Sequence, residues 1–230
     1  MAVWAVIPAA GVGRRFGADV PKQYLAAAGR PLLAHVLDLF LAAPAVSAIV
    51  LATAPEDERW RDLLPASPSR PVVRAPGGGT RAGSVLAALD AVAGDAAPDD
   101  WALVHDAARP CLSRADLERL IDALSNDAVG GLLATPVVDT LKRSDDSDRV
   151  TGTAERGGLW RALTPQMFRF ALLRDALREA LAAGFEITDE ASAMERAGHR
   201  PRLVAGGAEN IKVTRPEDLA LAEIILRGRE

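Results

Sequence analysis

Five short apolar runs rich in β-branched residues, each followed by a segment with helical periodicity, constrain the fold of this chain more than any other feature. The runs lie at residues 2–8, 47–53, 71–75, 101–105 and 130–138. None shows the clean alternation of apolar and polar residues that is typical of a strand with one solvated face. Buried strands separated by helices predict an α/β fold, a mostly parallel sheet with helices on both faces.

The segments between these runs contain helix-start signals. Thr80 and Ser113 suit N-cap positions, because their hydroxyls can accept a hydrogen bond from the first turn, and Pro31 suits a first helical position. Ligands of such sheets bind beyond the carboxyl ends of the strands. We therefore expect the loops after the first and fourth runs to lie side by side at one functional edge.

The C-terminal part predicts two helices, a strand, a strand-like segment and a last helix, at residues 168–184, 188–198, 202–206, 210–214 and from Pro216. Thr188 is the expected cap of the second of these helices. The chain has no internal repeat and no low-complexity linker. A length of 230 residues allows one large α/β domain or two small ones, and we expect a single domain over residues 1–230.

Residues 139–157 break the alternation of strands and helices. Two short extended pieces, Thr140–Arg143 and Arg149–Thr153, flank an acidic turn, and neither has enough apolar surface to pack on the main sheet. The segment predicts a projecting β-hairpin, and a mobile surface loop is the alternative. Because a lone hairpin is marginally stable in water, we expect residues 138–157 to form a dimerisation arm that leans on a second subunit.

Composition argues against several classes of function. The formal net charge of −4 disfavours a nucleic-acid-binding protein held by general electrostatic attraction, so an anion site must be a local concentration of Arg and Lys. The single cysteine, Cys111, excludes an intrachain disulfide and a cysteine-rich metal site. No apolar stretch reaches the length of a membrane span. We expect a cytoplasmic protein that binds neither nucleic acid nor membrane.

A glycine-rich loop that carries cations follows the first predicted strand. Its small residues include Ala9, Ala10, Gly11 and Gly13. Small residues let backbone N–H groups approach an anion closely, and Arg15 and Lys22 supply compensating charge. The spacing fits neither a dinucleotide fingerprint, which would need glycine at Phe16, nor a GxxxxGK[ST] loop. The loop therefore predicts a polyphosphate cradle of a less common kind.

The motif HDAARP, at residues 105–110, directly follows the fourth predicted strand. A lone carboxylate at Asp106 could hold Mg²⁺ together with substrate phosphates and waters, and Arg109 would then face phosphate as well. The alternatives are that Asp106 caps a helix or tethers a loop, and that Arg109 forms a salt bridge with a neighbouring acid.

Two further segments could contact a ligand. In GGGTRAGS, at residues 77–84, a flat base could lie against the backbone with a hydrogen bond from Ser84, and a plain flexible turn is the alternative. In NIKVT, at residues 210–214, Lys212 interrupts an apolar strand pattern, which is costly unless it meets an anion. No serine lies in the context of a nucleophile elbow, so acyl-enzyme chemistry is disfavoured.

Seven motifs in chain order resemble those of the 2-C-methyl-D-erythritol 4-phosphate cytidylyltransferase family of the non-mevalonate isoprenoid pathway. They are PAAGVGRRFGADVPKQYL, GGGTRAGSV, LVHDAARPCL, PVVDTLKR, GLWRALTPQMF, ITDEASAMERAG and NIKVTRPEDLALAE, and they span essentially the whole chain. The resemblance implies a Rossmann-like nucleotidyltransferase fold and transfer of a cytidylyl group from CTP to methylerythritol phosphate, with release of pyrophosphate. It also implies a divalent cation, usually Mg²⁺, and a homodimer in which each arm completes the partner's site.

The resemblance also implies roles for individual positions. Arg15 and Lys22 match the pair that stabilises the transition state at the α-phosphate, and Asp106 matches the metal-binding aspartate. The positions that hold methylerythritol phosphate correspond to Arg109, Thr140, Arg156 and Lys212. Of these, Thr140 and Arg156 would reach from the arm into the partner's site.

The positions that enclose the cytidine in this family correspond to Ala9, Ala10, Gly11, Gly78, Gly79 and Ser84. Gly79 departs from the pattern, because some members have an acidic residue there. Any side-chain contact of that acid to the nucleotide is lost here, whereas recognition by backbone groups would survive. The choice of base is therefore less constrained by these motifs than the type of reaction.

Three other functions remain open at this level. A cytidylyltransferase for ribitol 5-phosphate or another sugar phosphate could use nearly the same nucleotide site. A catalytically silent nucleotide-binding or regulatory protein is disfavoured because Arg15, Lys22, Asp106 and Lys212 occur together. A nicotinamide oxidoreductase is disfavoured because the first loop lacks the third glycine of its fingerprint.

Overall fold

The computed structural model describes residues 1–11 and 20–229, which form one central sheet, two small two-stranded sheets, six α-helices and two short 3₁₀ helices, Lys22–Tyr24 and Arg59–Leu63. The strands are β1 (Val3–Pro8), β2 (Ala26–Ala27), β3 (Arg30–Pro31), β4 (Ala48–Thr53), β5 (Val72–Pro76), β6 (Trp101–Val104), β7 (Gly130–Pro136), β8 (Leu141–Ser144), β9 (Val150–Ala154), β10 (Trp160–Arg169) and β11 (Arg202–Ala205). The helices are α1 (Leu32–Ala42), α2 (Arg81–Ala91), α3 (Arg114–Leu124), α4 (Phe170–Ala182), α5 (Glu190–Arg196) and α6 (Pro216–Arg227).

The central sheet has seven strands in the order β11-β7-β10-β6-β1-β4-β5. Strand β1 pairs in parallel with β4 and β6, and the pairs β4–β5 and β7–β11 are also parallel. Strand β10 alone runs antiparallel to both neighbours, β6 and β7. The predicted mostly parallel sheet is confirmed, and the loops after β1, β5 and β6 meet at one edge of it.

Two apolar layers explain why the strands lack alternation. Helices α1 and α3 contribute to the cluster on one face, and α2, α4 and α5 contribute to the cluster on the other. In β1, Ala5 and Ile7 belong to the first cluster and Val6 to the second, and none of the three is exposed. Both sides of the strand are therefore apolar. None of the helices in the described part of the chain is long and apolar enough to cross a membrane.

All five apolar runs form strands within two residues of their predicted bounds, but the antiparallel strand β10 was not predicted. Its first residues, Trp160 and Arg161, are exposed, and Pro165 interrupts the pattern, so only its second half reads as buried. The expected helix start at residue 168 was wrong as well, because Phe168 and Arg169 still pair with β6. Helix α4 begins only at Phe170.

Three local predictions need correction. Asp189, not Thr188, caps α5, because the Asp189 carboxylate accepts a hydrogen bond from the N–H of Ser192 at 3.0 Å. Pro31 precedes the first helical residue of α1 instead of occupying it. The segment at residues 210–214 forms no strand, because its backbone bonds to a neighbouring loop and not to a sheet edge. The predicted caps Thr80 and Ser113 are confirmed.

The predicted hairpin is present. Strands β8 and β9 pair antiparallel in a two-stranded sheet of their own, separate from the central sheet. Apolar side chains are exposed on and beside it, among them Val138, Val150 and Trp160. Association of this arm with a second subunit stays a prediction.

The close packing of Gly131 against a neighbouring strand yields a prediction about stability. An added Cβ at Gly131 of β7 would lie 2.0 Å from the carbonyl oxygen of Arg202 in β11. Gly131→Ala must therefore push β11 away, and we expect it to lower the free energy of unfolding by about 1–3 kcal/mol. Urea denaturation measures this change. The control is Gly94→Ala, whose new Cβ would meet nothing within 4 Å, and an equal loss in both variants would contradict the packing argument.

Candidate active site

The first glycine-rich loop leaves the carboxyl end of β1 and is anchored there. The N–H of Ala9 donates to the carbonyl of Ala52 at 2.7 Å, which continues the pairing of β1 with β4. Buried Gln23 donates from Nε2 to the carbonyl of Ala9 at 2.6 Å, and this places the neighbouring Lys22 beside the loop. Arg15 lies outside the described residues, so its role stays a prediction.

The second glycine-rich turn packs directly against the first loop. The N–H of Gly77 donates to the carbonyl of Thr53 at 2.7 Å. An added Cβ at Gly77 would lie 2.1 Å from the Cβ of Ala10, and one at Gly78 would lie 2.7 Å from the carbonyl carbon of Gly83. Glycine is therefore required at Gly77 by the close approach of the first loop, and at Gly78 by the turn's own close approach to the start of α2.

Ser84 ties this turn to helix α2. Its hydroxyl accepts from the N–H of Gly78 at 3.0 Å and donates to the carbonyl of Thr80 at 2.9 Å. The residue is 3% exposed, so its contribution in this structure is to shape the turn. At Gly79, by contrast, an added Cβ would meet nothing within 4 Å among the described residues, so the packing of the turn does not require glycine there.

Asp106 stands at the carboxyl end of β6 between two cations. Its Oδ1 accepts from Nε of Arg81 at 2.7 Å, and its Oδ2 lies 2.7 Å from Nζ of Lys212. Burial alone would raise the pKa of Asp106, yet the charges of Arg81 and Lys212 hold it well below its usual range. Asp106 is therefore an ionised carboxylate whose two oxygens have different partners.

A chain of hydrogen bonds fixes the loop that carries Asp106. The N–H of Asp106 donates to Oγ1 of Thr164 at 3.1 Å, and Oγ1 lies 3.0 Å from Nδ1 of His105. Nε2 of His105 lies 3.0 Å from the carbonyl of Arg109, which can only accept. Nε2 therefore carries the proton, and Nδ1 accepts from the Thr164 hydroxyl. The fully buried imidazole braces both ends of the turn from Asp106 to Arg109.

Lys212 reaches the site because its loop is fixed on both sides of it. Buried Asn210 donates from Nδ2 to the carbonyl of Thr164 at 2.7 Å. The N–H of Val213 donates to the carbonyl of Ala108 at 2.8 Å. The sequence analysis expected an anion close to Lys212, because a cation in an apolar sequence pattern is costly without one. The carboxylate of Asp106 is that anion.

Arg109 is largely buried beside Asp106. Its Nη1 donates to the carbonyl of Asn210 at 2.7 Å, and its Nε is 3.8 Å from Oδ2 of Asp106. That distance is an ion pair but not a hydrogen bond, and the buried Nε has no hydrogen-bond partner in the described residues. Burial lowers the pKa of Arg109, and Asp106 opposes this shift. Nε of Arg109 is therefore a buried donor without a hydrogen-bond acceptor among the described residues, beside the carboxylate of Asp106.

Two cavities meet at this cluster. The first, of about 500 Å³, lies between the two glycine-rich segments. It is lined by all six predicted nucleotide positions and three predicted charged positions, namely Ala9, Ala10, Gly11, Gly78, Gly79, Ser84, Lys22, Asp106 and Lys212. The second, of about 280 Å³, includes Arg109, Thr164 and Thr188 in its wall. Arg81, Asp106 and Lys212 line both cavities.

The two arm positions lie elsewhere in this chain. Thr140 and Arg156 are exposed and line neither cavity. Arg156 donates to the carbonyl of Val138, which closes the base of the arm. Their predicted role in substrate binding requires a second subunit and stays a prediction.

Comparison with known proteins agrees with this geometry. The family model described as IspD, 2-C-methyl-D-erythritol 4-phosphate cytidylyltransferase, matches residues 3–228. The chain belongs to this family. A relative of that name from Ectopseudomonas mendocina (strain ymp) is 57% identical over 218 residues, which cover 94% of this chain and 92% of the relative.

Solved structures lead to the same cytidylyltransferase family. A crystal structure of 4-diphosphocytidyl-2C-methyl-D-erythritol synthase superposes with a TM-score of 0.84 at 40% identity and covers 98% of both chains. The 2-C-methyl-D-erythritol 4-phosphate cytidylyltransferase of Francisella tularensis superposes with a TM-score of 0.81 at 33% identity, over 98% of this chain and 100% of that one. The chain is thus a nucleotidyltransferase that transfers a cytidylyl group from CTP to methylerythritol phosphate in isoprenoid precursor synthesis.

Sequence reasoning missed several residues that build the cytidylyltransferase site. Thr164 and Gln166 were missed because β10 was not predicted, and Glu190 read only as an acid in a first helical turn. Arg81 belongs to the glycine-rich motif of residues 77–84, but the sequence analysis assigned it no role. Gln23 follows Lys22 directly, and its buried position could not be inferred from that spacing.

The buried imidazole gives a prediction on pH. Burial lowers the pKa of His105 from 6.5 to about 4. Between these values the unfolded chain takes up the proton and the folded chain does not, so stability is retained above pH 6.5 and falls as the pH falls toward 4. We expect this group alone to remove up to about 3 kcal/mol over that window.

Histidine-selective ¹⁵N NMR tests this directly. The His105 ring should remain the neutral Nε2–H form in the folded protein until the pH approaches 4. In parallel, the free energy of unfolding should fall less steeply with decreasing pH in His105→Asn than in the unsubstituted chain. Titration of the folded His105 at its ordinary pKa would contradict the assignment.

Proposed function

We propose that CTP occupies the larger cavity and methylerythritol phosphate the smaller one, with the reacting groups meeting at Arg81, Asp106 and Lys212. The observation that carries this proposal is that these three charged residues line both cavities. A transfer between two bound phosphates needs both to converge on one place. Among the described residues, the wall shared by the two cavities carries two cations, Arg81 and Lys212, and one carboxylate, Asp106.

The proposed reaction needs no general base. A phosphate monoester has a second pKa near ~6, so the attacking oxygen of the acceptor is already ionised at neutral pH. It forms a new bond to the α-phosphorus of CTP, the bond from that phosphorus to the bridging oxygen breaks, and the electron pair leaves with pyrophosphate. The neutral, hydrogen-bonded His105 accordingly has a structural role and not a proton-transfer role.

Cations of this chain offset the charge that develops. Lys22, and by family resemblance Arg15, stabilise the non-bridging oxygens of the α-phosphate. Arg109 and Lys212 bind the acceptor's phosphate, and the unused Nε–H of Arg109 is a donor for that purpose. Backbone groups of the two glycine-rich segments orient the nucleotide. Together these contacts hold attacking and leaving groups in line.

A divalent cation, usually Mg²⁺, fits this donor set. No group of three or more His, Cys, Asp or Glu residues in the described part of the chain could hold a metal alone. Mg²⁺ commonly binds one or two carboxylates plus substrate phosphates, and Asp106 is an ionised carboxylate at the wall of the nucleotide cavity. When bound there, Mg²⁺ supplies neutralisation of phosphate charge. A cation held by Oδ2 of Asp106 would take the place of Lys212 there, and Lys212 would then be available for the acceptor.

We further propose that the enzyme acts in the cytoplasm as a homodimer formed through the arm of residues 138–157. The support is that β8 and β9 form a sheet separate from the central sheet, with the exposed apolar side chains of Val138 and Val150 beside it and on it. Thr140 and Arg156 of one arm would then contact the acceptor in the partner's site.

A pyrophosphate-release assay tests the reaction and the role of Lys22. We expect release with CTP and methylerythritol phosphate to exceed release with the other three nucleotides or with ribitol 5-phosphate as acceptor. Lys22→Ala should lower turnover by about 100-fold or more, because it removes a charge that acts in the transition state. The control is Arg178→Ala, which removes an exposed cation paired with Asp90 outside both cavities. Near-normal turnover of a folded Lys22→Ala variant would rule out this role.

Mixing two inactive variants tests the shared site. In a dimer of Lys22→Ala with Arg156→Ala, one site retains its own Lys22 and receives Arg156 from the other subunit. After full subunit exchange, activity should recover to about a quarter of the wild-type value, since half the dimers are mixed and each has one complete site. Mass spectrometry of differently labelled subunits verifies exchange. Verified exchange without recovery would show that Arg156 does not act across the dimer.

A further inference from the structure

We propose that Glu190 and Arg81 are positioning residues that fix one oxygen of Asp106 and leave the other exchangeable between Lys212 and the divalent cation. The inference rests on the proposed metal role of Asp106. It assigns a function in the reaction to two residues that lie on α5 and α2, away from the loop that carries Asp106.

Glu190 is the first residue of α5, and its side chain is completely buried. Buried Gln166 of β10 holds this helix start, since its Nε2 donates to Oδ2 of Asp189 at 2.9 Å and its Oε1 accepts from the N–H of Ala191 at 2.8 Å. The strand therefore fixes the residues on both sides of Glu190, so the carboxylate points one way.

Two hydrogen bonds to the Glu190 carboxylate fix the orientation of the Arg81 guanidinium. Its Nη1 and Nη2 donate to Oε1 and Oε2 of Glu190 at 2.7 and 3.0 Å, the bidentate geometry that fixes the guanidinium plane. Its Nε then donates to Oδ1 of Asp106 at 2.7 Å. Burial would lower the pKa of Arg81, but both carboxylates raise it, so the guanidinium stays charged.

The two oxygens of Asp106 consequently differ in how easily they change partner. Oδ1 is held by a guanidinium that is itself clamped by a buried carboxylate. Oδ2 is held by Lys212, a single ammonium on a flexible chain whose side chain is 39% exposed. Only the second contact can open without leaving a buried charge unpaired. The carboxylate therefore offers Oδ2 in a fixed direction to an incoming cation.

Glu190 also limits the positive charge around Asp106. Arg81, Arg109 and Lys212 surround Asp106, and Glu190 is the second carboxylate of this cluster. Without it, Arg81 would be free to turn toward Oδ2 and would repel a divalent cation more strongly. Both consequences weaken metal binding, as loss of an outer-shell partner does in other metal sites.

The test measures metal binding and not only turnover. Mn²⁺ is titrated into the full-length protein with a non-hydrolysable CTP analogue and followed by electron paramagnetic resonance. We expect Glu190→Gln, which keeps the shape and removes the charge, to raise the Kd of Mn²⁺ about 10-fold or more. The double variant Arg81→Met/Glu190→Gln buries no unpaired charge and serves if the single variant does not fold.

The double variant also separates orientation from charge. Its removal of one cation and one carboxylate leaves the net charge around Asp106 unchanged, so a positioning role requires that Mn²⁺ still bind weakly. The matched control is Asp100→Asn, a buried carboxylate at the opposite end of β6 that bonds to the N–H of Ala2 and to Trp4. It should leave Mn²⁺ binding unchanged.

Three results would overturn the inference. The first is a Glu190→Gln variant that binds Mn²⁺ with the Kd of the unsubstituted protein. The second is a double variant whose Kd for Mn²⁺ returns to that value. The third is an Asp100→Asn variant that binds Mn²⁺ as weakly as Glu190→Gln does. A separate variant, Asp106→Asn, tests the proposed metal role itself. If it binds Mn²⁺ normally, the metal role fails; if it binds weakly while Glu190→Gln binds normally, only the positioning role fails.

Discussion

The carboxylate of Asp106, held between Arg81 and Lys212, is the interaction on which the rest of the site depends. It is buried, ionised and located where β6 ends, and Arg81, Arg109 and Lys212 are gathered around it. An uncompensated carboxylate at this depth would be costly. The surrounding fold can therefore be understood as the means of bringing compensating cations from α2 and from the loop of residues 210–214 to one point.

The antiparallel strand β10 makes this convergence possible. By lying between β6 and β7, it places Thr164 against the N–H of Asp106 and Gln166 against the start of α5. The Thr164 carbonyl also receives the side chain of Asn210, which fixes the loop of Lys212. One strand thus supplies the anchors for three separate charged groups, namely Asp106, Glu190 and Lys212.

The sequence predicted what depends on local pattern and missed what depends on this convergence. The five buried runs were recognisable because apolar layers on both faces of the sheet remove alternation. Strand β10 was missed because the exposed Trp160 and Arg161 and the proline at 165 disguise a half-buried segment. Ile211 and Val213 flank Lys212 with apolar side chains and so give a strand-like pattern. The N–H of Val213 nevertheless bonds to the carbonyl of Ala108 in a loop and not to a strand. Long-range partners such as Glu190 carry no signal in local spacing.

The charge balance of the cluster connects its stability to its chemistry. Arg81 and Glu190 form a pair whose bonds are internal, whereas Lys212 and Arg109 have contacts that bound anions can replace or extend. Because buried Glu190 holds Arg81 through both of its oxygens, the direction of the Asp106 carboxylate is set by the protein itself and needs no substrate. Preorganisation of this kind is what electrostatic stabilisation of a phosphoryl transition state requires.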